Sequence, residues 1–199
     1  MRKNKKWMAA AVISLAVLGG TLTACGQKQG EPENVQTSAE AETETEADTE
    51  SSSSGLLGTF TSVTLAGEEV NQDIFSNADL TMVNIWGTFC GPCIAEMPDL
   101  GELSREYKDK GFQIVGIVSD ITDPTDANAL EIVESTKADY THMVLSEELY
   151  NNYLALVTVV PTTVFLDKDG KQVGTTYAGS KSKARWKKII DELLEKVQE

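Results

Sequence analysis

The feature that most constrains this 199-residue chain is Trp86-Gly87-Thr88-Phe89-Cys90-Gly91-Pro92-Cys93. The apolar run Met82-Val83-Asn84-Ile85-Trp86 before it reads as a buried strand, and the residues from Pro92 onward read as a helix. Cys90 therefore falls at a strand-to-helix junction, at the positive end of the helix dipole and among backbone N–H groups that have no partner within the helix. Such a position favours the thiolate and lowers the thiol pKa below its free value of about 8.5. Cys93, one turn along, is placed to close a short disulfide ring and release a mixed disulfide. Pro92 suits the first helical turn, which does not need its N–H, and Gly91 keeps the approach to Cys90 open.

A bare Cys-x-x-Cys is also half of a zinc site. That site needs two more ligands, and the chain offers only Cys25 and His142 as further soft donors, neither with partner spacing. No metal is expected. A c-type haem needs a His directly after the second Cys, and Ile94 stands there. Nucleotide loops rich in glycine are absent from the sequence, so no cofactor is expected and electrons should travel through thiols alone.

From Gly58 to its end the chain resembles the thioredoxin superfamily and, within it, the extracytoplasmic TlpA/ResA-type thiol-disulfide oxidoreductases. The resemblance rests on Val83-Asn84-Ile85-Trp86-Gly87-Thr88-Phe89-Cys90-Gly91-Pro92-Cys93, then Glu96-Met97-Pro98, and much later Val160-Pro161-Thr162-Thr163. It implies an α/β thioredoxin-like fold: a central mixed sheet flanked by helices, with an N-terminal β-hairpin and a central helical insertion. It implies that Cys90 and Cys93 form the redox disulfide and that Pro161 is cis and faces it. Trp86, Asn84, Glu96 and Pro161 are then supporting residues, and Phe89, Gly91, Pro92, Val160 and Pro161 the substrate-binding ones.

Two departures from that pattern carry consequences. Phe89 stands where the family usually has Trp, which keeps an aromatic face without an indole N–H. Asn84 stands where cytosolic thioredoxins carry a buried Asp. Asn cannot take a proton, so deprotonation of the resolving thiol needs another group or water. Glu96 is the candidate, because i+3 from Cys93 places it on a nearby helix face. Its charge would raise a thiol pKa, whereas the plainer reading makes it a solvated surface carboxylate.

At the N-terminus, Arg2, Lys3, Lys5 and Lys6 precede an apolar core, Met8 to Leu18, too short to span a bilayer comfortably. Leu22-Thr23-Ala24-Cys25 then resembles a bacterial lipobox, which makes residues 1–24 a lipoprotein signal peptide and Cys25 the lipidated residue. Two acyl chains on Cys25 would anchor the protein stably to the cell membrane, with its domain on the extracytoplasmic side. Residues 25–57 then form a tether of Glu, Thr, Ala and Ser with almost nothing apolar to bury. About 30 such residues at roughly 5–6 Å × √n reach ~30 Å, and further with charge repulsion.

Residues 58–199 suit one domain. Phe60 to Val70, turning at Gly67, reads as a hairpin leading into the sheet. Leu80 to Trp86 and Phe112 to Val118 are continuous apolar strands, as parallel strands covered on both faces should be. A helix from Pro92 toward Lys110 bends at Pro98. Asp123 to Lys137 is the helical insertion, followed by a short strand at Met143 to Leu145 and a short helix from Glu147 to Tyr153. Thr163 to Leu166 and Lys171 to Tyr177 form a hairpin. Trp186, Ile189, Ile190, Leu193, Leu194 and Val197 make the apolar stripe of a last helix.

His142, the only His, lies outside both motifs and reads as structural. Lys181, Lys183, Arg185, Lys187 and Lys188 read as the wet face of the last helix. Loss of the four leader charges moves the formal charge from −14 to −18, the wrong sign for nucleic acid.

The expected reaction is attack of the Cys90 thiolate on a protein disulfide laid along Val160-Pro161, then resolution by Cys93. The Gly-Pro pair resembles reducing thioredoxins, at about −270 mV, rather than the oxidant DsbA, at about −120 mV. A reductase needs a donor, by analogy a membrane protein of the CcdA/DsbD type; apocytochrome c is one conceivable client, and a monomer is expected. Other classes remain: an oxidant, a thiol peroxidase, or a haem- or protein-binding module. A peroxidase would carry Pro-x-x-x-Thr-x-x-Cys, but Thr88 is two residues from Cys90 instead of three and no Pro stands at the required position before it.

Overall fold

The computed structural model describes residues 55–199. The leader, Cys25 and the tether up to residue 54 lie outside the described residues. A small antiparallel hairpin, β1 (Thr61–Val63) and β2 (Glu69–Asn71), opens the chain, followed by a 3-10 turn, Gln72–Asn77. Then come β3 (Leu80–Trp86), α1 (Gly91–Tyr107), β4 (Phe112–Val118), α2 (Ala127–Thr136), β5 (Thr141–Val144) and α3 (Glu147–Asn152). After a 3-10 turn, Leu154–Leu156, the chain ends with β6 (Thr162–Asp167), β7 (Gln172–Ala178) and α4 (Lys183–Gln198).

Five strands form one sheet in the order β5-β4-β3-β6-β7. β3, β4 and β5 run parallel, while β6 is antiparallel to β3 and β7 antiparallel to β6, so the sheet is mixed as expected. Every residue of β3 is buried, which is why its apolar run is nearly continuous. Period-two alternation sorts its side chains between two cores. Leu80, Met82 and Trp86 join the core under α1, α2 and α4, with Met97, Leu100, Ala129, Trp186 and Ile190. Val83 and Ile85 join Leu57, Phe60, Phe75, Leu149 and Leu154 on the opposite face.

Three expectations change in detail. The N-terminal hairpin is a separate two-stranded sheet and does not extend the main one. It is held to β5 by a Thr64–Met143 bridge and by the Ser62 hydroxyl, which donates to the Val144 carbonyl at 2.7 Å. The insertion is more than helical: α2 is the crossover that carries the chain to β5, the parallel edge strand. It begins only at Ala127, because Asp123-Pro124-Thr125 makes a turn on the Asp123 carboxylate and Asp126 then caps the helix through the Ala129 N–H. Finally, Gly55–Leu57, read as the end of the tether, belong to the folded part: Leu56 N–H donates to Gly170 O at 2.8 Å and Leu57 is fully enclosed.

The first long helix ends at Tyr107 and contains Pro98 within a single helical segment. The basic cluster splits. Lys181 precedes α4 and its ammonium caps the carbonyls of Ala178 and Gly179. Lys183 and Lys187 reach across to Glu102 and Glu106 of α1, so this part of α4 faces a neighbouring helix instead of open water. Both pairs are exposed and screened by solvent, so they add little to stability.

One row of side chains departs from the apolar pattern. Thr163, Asn84, Gly116 and His142 lie in register across β6, β3, β4 and β5. Gly116 is required there, because a Cβ would lie 2.3 Å from His142 Nδ1. The missing side chain is the space that the imidazole occupies.

Candidate active site

Trp86 ends β3, and a turn closed by the Cys90 N–H on Gly87 O, at 3.0 Å, leads into α1. Cys90 is the N-cap: its sulfur accepts the Cys93 N–H at 3.2 Å, and Pro92 occupies the first turn. The two cysteines are disulfide-bonded, with Cα atoms 5.3 Å apart. Cys93 is wholly buried whereas Cys90 retains 5% exposure, so only Cys90 offers its sulfur to an incoming group. Gly91 and Pro92 are exposed, and a Cβ added at Gly91 would meet nothing within 4 Å.

The Val160–Pro161 peptide is cis, and Cys90 Sγ lies 3.5 Å from Val160 O. Pro161 is buried and its carbonyl accepts the Gly179 N–H at 2.8 Å, which ties this loop to the end of β7. Beside Cys90 opens a groove of about 480 Å³ whose walls include Phe89, Ser119, Tyr150, Leu154, Val159 and Val160. Phe89 is 74% exposed, an unusual position for a large apolar side chain with no partner to cover it.

Beneath the cysteines, Glu96 is no solvated carboxylate: it is buried. One oxygen accepts from Asn84 Nδ2 at 3.2 Å; the other accepts the Lys181 N–H at 3.0 Å and the Trp186 indole N–H at 3.2 Å. Burial pushes the Glu96 carboxyl above the usual range, while the donors from Lys181, Trp186 and Asn84 and the Lys181 ammonium pull in the opposite direction. Asn84 also donates to Thr163 Oγ1 at 3.1 Å, leaving its own Oδ1 without a protein partner. Asn84 and Glu96, read separately from the sequence, are thus one hydrogen-bonded unit set under the helix that carries both cysteines.

Trp86 lies wholly in the core, and its indole N–H donates to His142 Nδ1 at 3.2 Å. His142 Nε2 is 2.9 Å from Ala138 O, so the proton sits on Nε2 and the ring is neutral. Among the described residues no group of three or more His, Cys, Asp or Glu could hold a metal ion, and no helix is long and apolar enough to cross a membrane. Cys25 lies outside them.

Sequence reasoning missed Trp186, Lys181 and Asp120. The first two reach Glu96 from 90 and 85 residues away, and the third reaches Thr88 from 32 residues away. No local motif marks such contacts.

Comparison with known proteins agrees with this geometry. The family model described as Redoxin matches residues 47–193. The thiol-disulfide oxidoreductase ResA of Bacillus thuringiensis subsp. konkukian is 32% identical over 117 residues, covering 57% of this chain and 63% of that relative, so the match spans less than two thirds of the relative's length. The thioredoxin-like protein YneN of Bacillus subtilis is 27% identical over 133 residues, covering 66% of this chain and 75% of its own. A solved thiol:disulfide interchange protein from Chlorobium tepidum superposes with a TM-score of 0.60 at 24% identity, covering 71% of this chain and 97% of its own, a likeness of fold. The chain belongs to the Redoxin family and has a thioredoxin-like fold.

Proposed function

We propose that this protein is a thiol-disulfide oxidoreductase that reduces protein disulfides. The observation that carries the reading is the Cys90–Cys93 pair at the N-terminus of α1, with Cys90 against the cis Val160–Pro161 loop and an apolar groove beside it. The Cys90 thiolate attacks one sulfur of a substrate disulfide, forming a Cys90–substrate bond and expelling the other sulfur as a thiolate. Cys93, after losing its proton, attacks Cys90 Sγ and expels the second substrate thiolate. Two electrons pass to the substrate and the Cys90–Cys93 disulfide remains. Asn84 cannot receive the Cys93 proton, and Glu96, with a raised pKa, is the group suited to take it, directly or through water.

Phe89, Gly91, Pro92 and Val160 form the contact surface, where an extended substrate strand can lie against the Val160 backbone. The lipobox-like Leu22-Thr23-Ala24-Cys25 supports a lipid anchor on Cys25 and an extracytoplasmic domain on an acidic tether. Electrons then come from a membrane donor of the CcdA/DsbD type.

The test incubates the reduced full chain, freed of excess reductant, with insulin and counts new insulin thiols. Cleavage of one insulin disulfide per Cys90–Cys93 pair is expected. Unchanged insulin, with consumption of hydrogen peroxide instead, would replace this reading with a peroxidase.

A further inference from the structure

We propose that Asp120 is a positioning residue that fixes the substrate-contacting segment Thr88–Phe89 and, through it, the groove beside Cys90. This rests on the reductase reading above. Asp120 lies two residues past the end of β4, and its carboxylate is bound to the turn that delivers the nucleophile. Thr88 N–H donates to Oδ1 at 3.0 Å and to Oδ2 at 3.1 Å, while Thr88 Oγ1 donates to Oδ2 at 2.6 Å. Among the described residues no cation lies within ion-pair distance of Asp120. Its acceptor capacity goes to this one turn, in hydrogen bonds strengthened by the charge.

The neighbouring Ser119 completes the attachment, because its N–H and hydroxyl both donate to Trp86 O, at 2.8 and 2.9 Å. The stretch Trp86–Thr88 is therefore held from the side by Ser119-Asp120, immediately before Phe89 and Cys90. Both ends of this latch also build the groove: Ser119 on one side and Phe89 on the other belong to its wall. Phe89 packs back over the same turn, since a Cβ at Gly87 would lie 2.8 Å from its ring. An exposed aromatic with no other covering needs its backbone fixed if it is to present one face to a substrate.

Binding geometry is the quantity at stake, since small misplacements of a contact surface are costly when the substrate must align with a sulfur. Asp120→Ala is expected to raise KM for insulin about tenfold and to lower kcat by less than threefold. Asp120→Asn keeps a carbonyl oxygen for the Thr88 N–H and is expected to restore KM to within about threefold of the parent. Thr88→Val in the Asp120→Ala background should add nothing, because the pair acts as one unit. The pH profile of Cys90 alkylation should stay in place in both Asp120 variants.

Three results would overturn the proposal. In one, kcat and KM change together with a lowered Tm, the mark of a general loop stabiliser. In another, Asp120→Asn matches Asp120→Ala and the alkylation profile moves, the mark of a charge effect on the thiol. In the third, KM is unchanged in Asp120→Ala. An inactive parent chain would instead refute the reductase reading itself, and this proposal would fall with it.

Discussion

Cys93→Ser is expected to trap the protein covalently on its substrate, and Cys90→Ser to abolish exchange by about three orders of magnitude or more. The asymmetry follows from burial. Cys90 caps α1 and keeps a little exposure, whereas Cys93 has none and can be reached only by Cys90. Without Cys93, the Cys90–substrate bond forms but has no internal attacker, so it accumulates. Without Cys90, the remaining thiol is enclosed and lies behind the helix start, where no protein disulfide can approach in line. Non-reducing electrophoresis with mass spectrometry of the adduct distinguishes these outcomes. A stable adduct on Cys93 in the Cys90→Ser variant would reverse the assignment of attacking and resolving thiols.

His142 is expected to cost the fold on the order of 3 kcal/mol of stability as pH falls from 7 to 4. Its ring is enclosed between Trp86 and Tyr140 and fills the space over Gly116. Burial pushes its pKa from 6.5 down to about 4, against a smaller upward pull from the Ala138 carbonyl. Above pH 6.5 the ring is neutral in both the folded and the unfolded chain, so its full contribution is present. As pH falls toward 4 the unfolded chain takes up a proton that the folded chain refuses, and stability drops. Glu96 works in the other direction. Its folded pKa is raised above 4.5, so its contribution is complete below 4.5 and is lost as pH rises through the folded value.

The two buried groups therefore partly offset one another as the medium is acidified. Urea unfolding at pH 7 and pH 4 separates them. The stability difference between the parent and His142→Gln should shrink by about 3 kcal/mol on going to pH 4. Glu96→Gln should lose more stability on acidification than the parent, because its counterweight is gone. A pH-independent difference between the parent and His142→Gln would show that the imidazole is protonated inside the fold.

Much of this architecture was legible in short stretches. β3 and β4 announce themselves as unbroken apolar runs because both of their faces are covered. The cis proline could be anticipated at Pro161 from resemblance, and the stripe from Trp186 to Val197 marks α4 through its spacing. What escaped was whatever depends on partners distant along the chain. Glu96 stands out through its i+3 spacing from Cys93, but nothing nearby shows that Trp186 and the Lys181 backbone close over it. The N-terminal hairpin has strand-like alternation, but pattern alone does not say which sheet a strand joins. Leu57 shares its composition context with the polar tether, and only the pocket it fills beside Phe60 and Phe75 shows that it belongs to the core.

The polar row under α1 carries the same lesson at the site. Asn84 is singled out in the sequence only by resemblance, and in the fold it bridges Thr163 and Glu96 at mid-sheet, where its neighbours on the same strand face are apolar. A buried polar group is retained when its partners are present, and here the partners sit on β6 and α1. Chemistry at the cysteines is thus read from Cys90-Gly91-Pro92-Cys93, while the contacts that bury and bind Glu96 are read only from the assembled fold.

The measurement that tests the central claim most directly is the reduction potential of the Cys90–Cys93 pair, taken on the full chain equilibrated in defined dithiol buffers. A reductase of this kind should poise at or below about −250 mV, close to the reducing thioredoxins. A potential above about −150 mV would contradict the account, because the pair would then take electrons from its protein partners and leave disulfides in them.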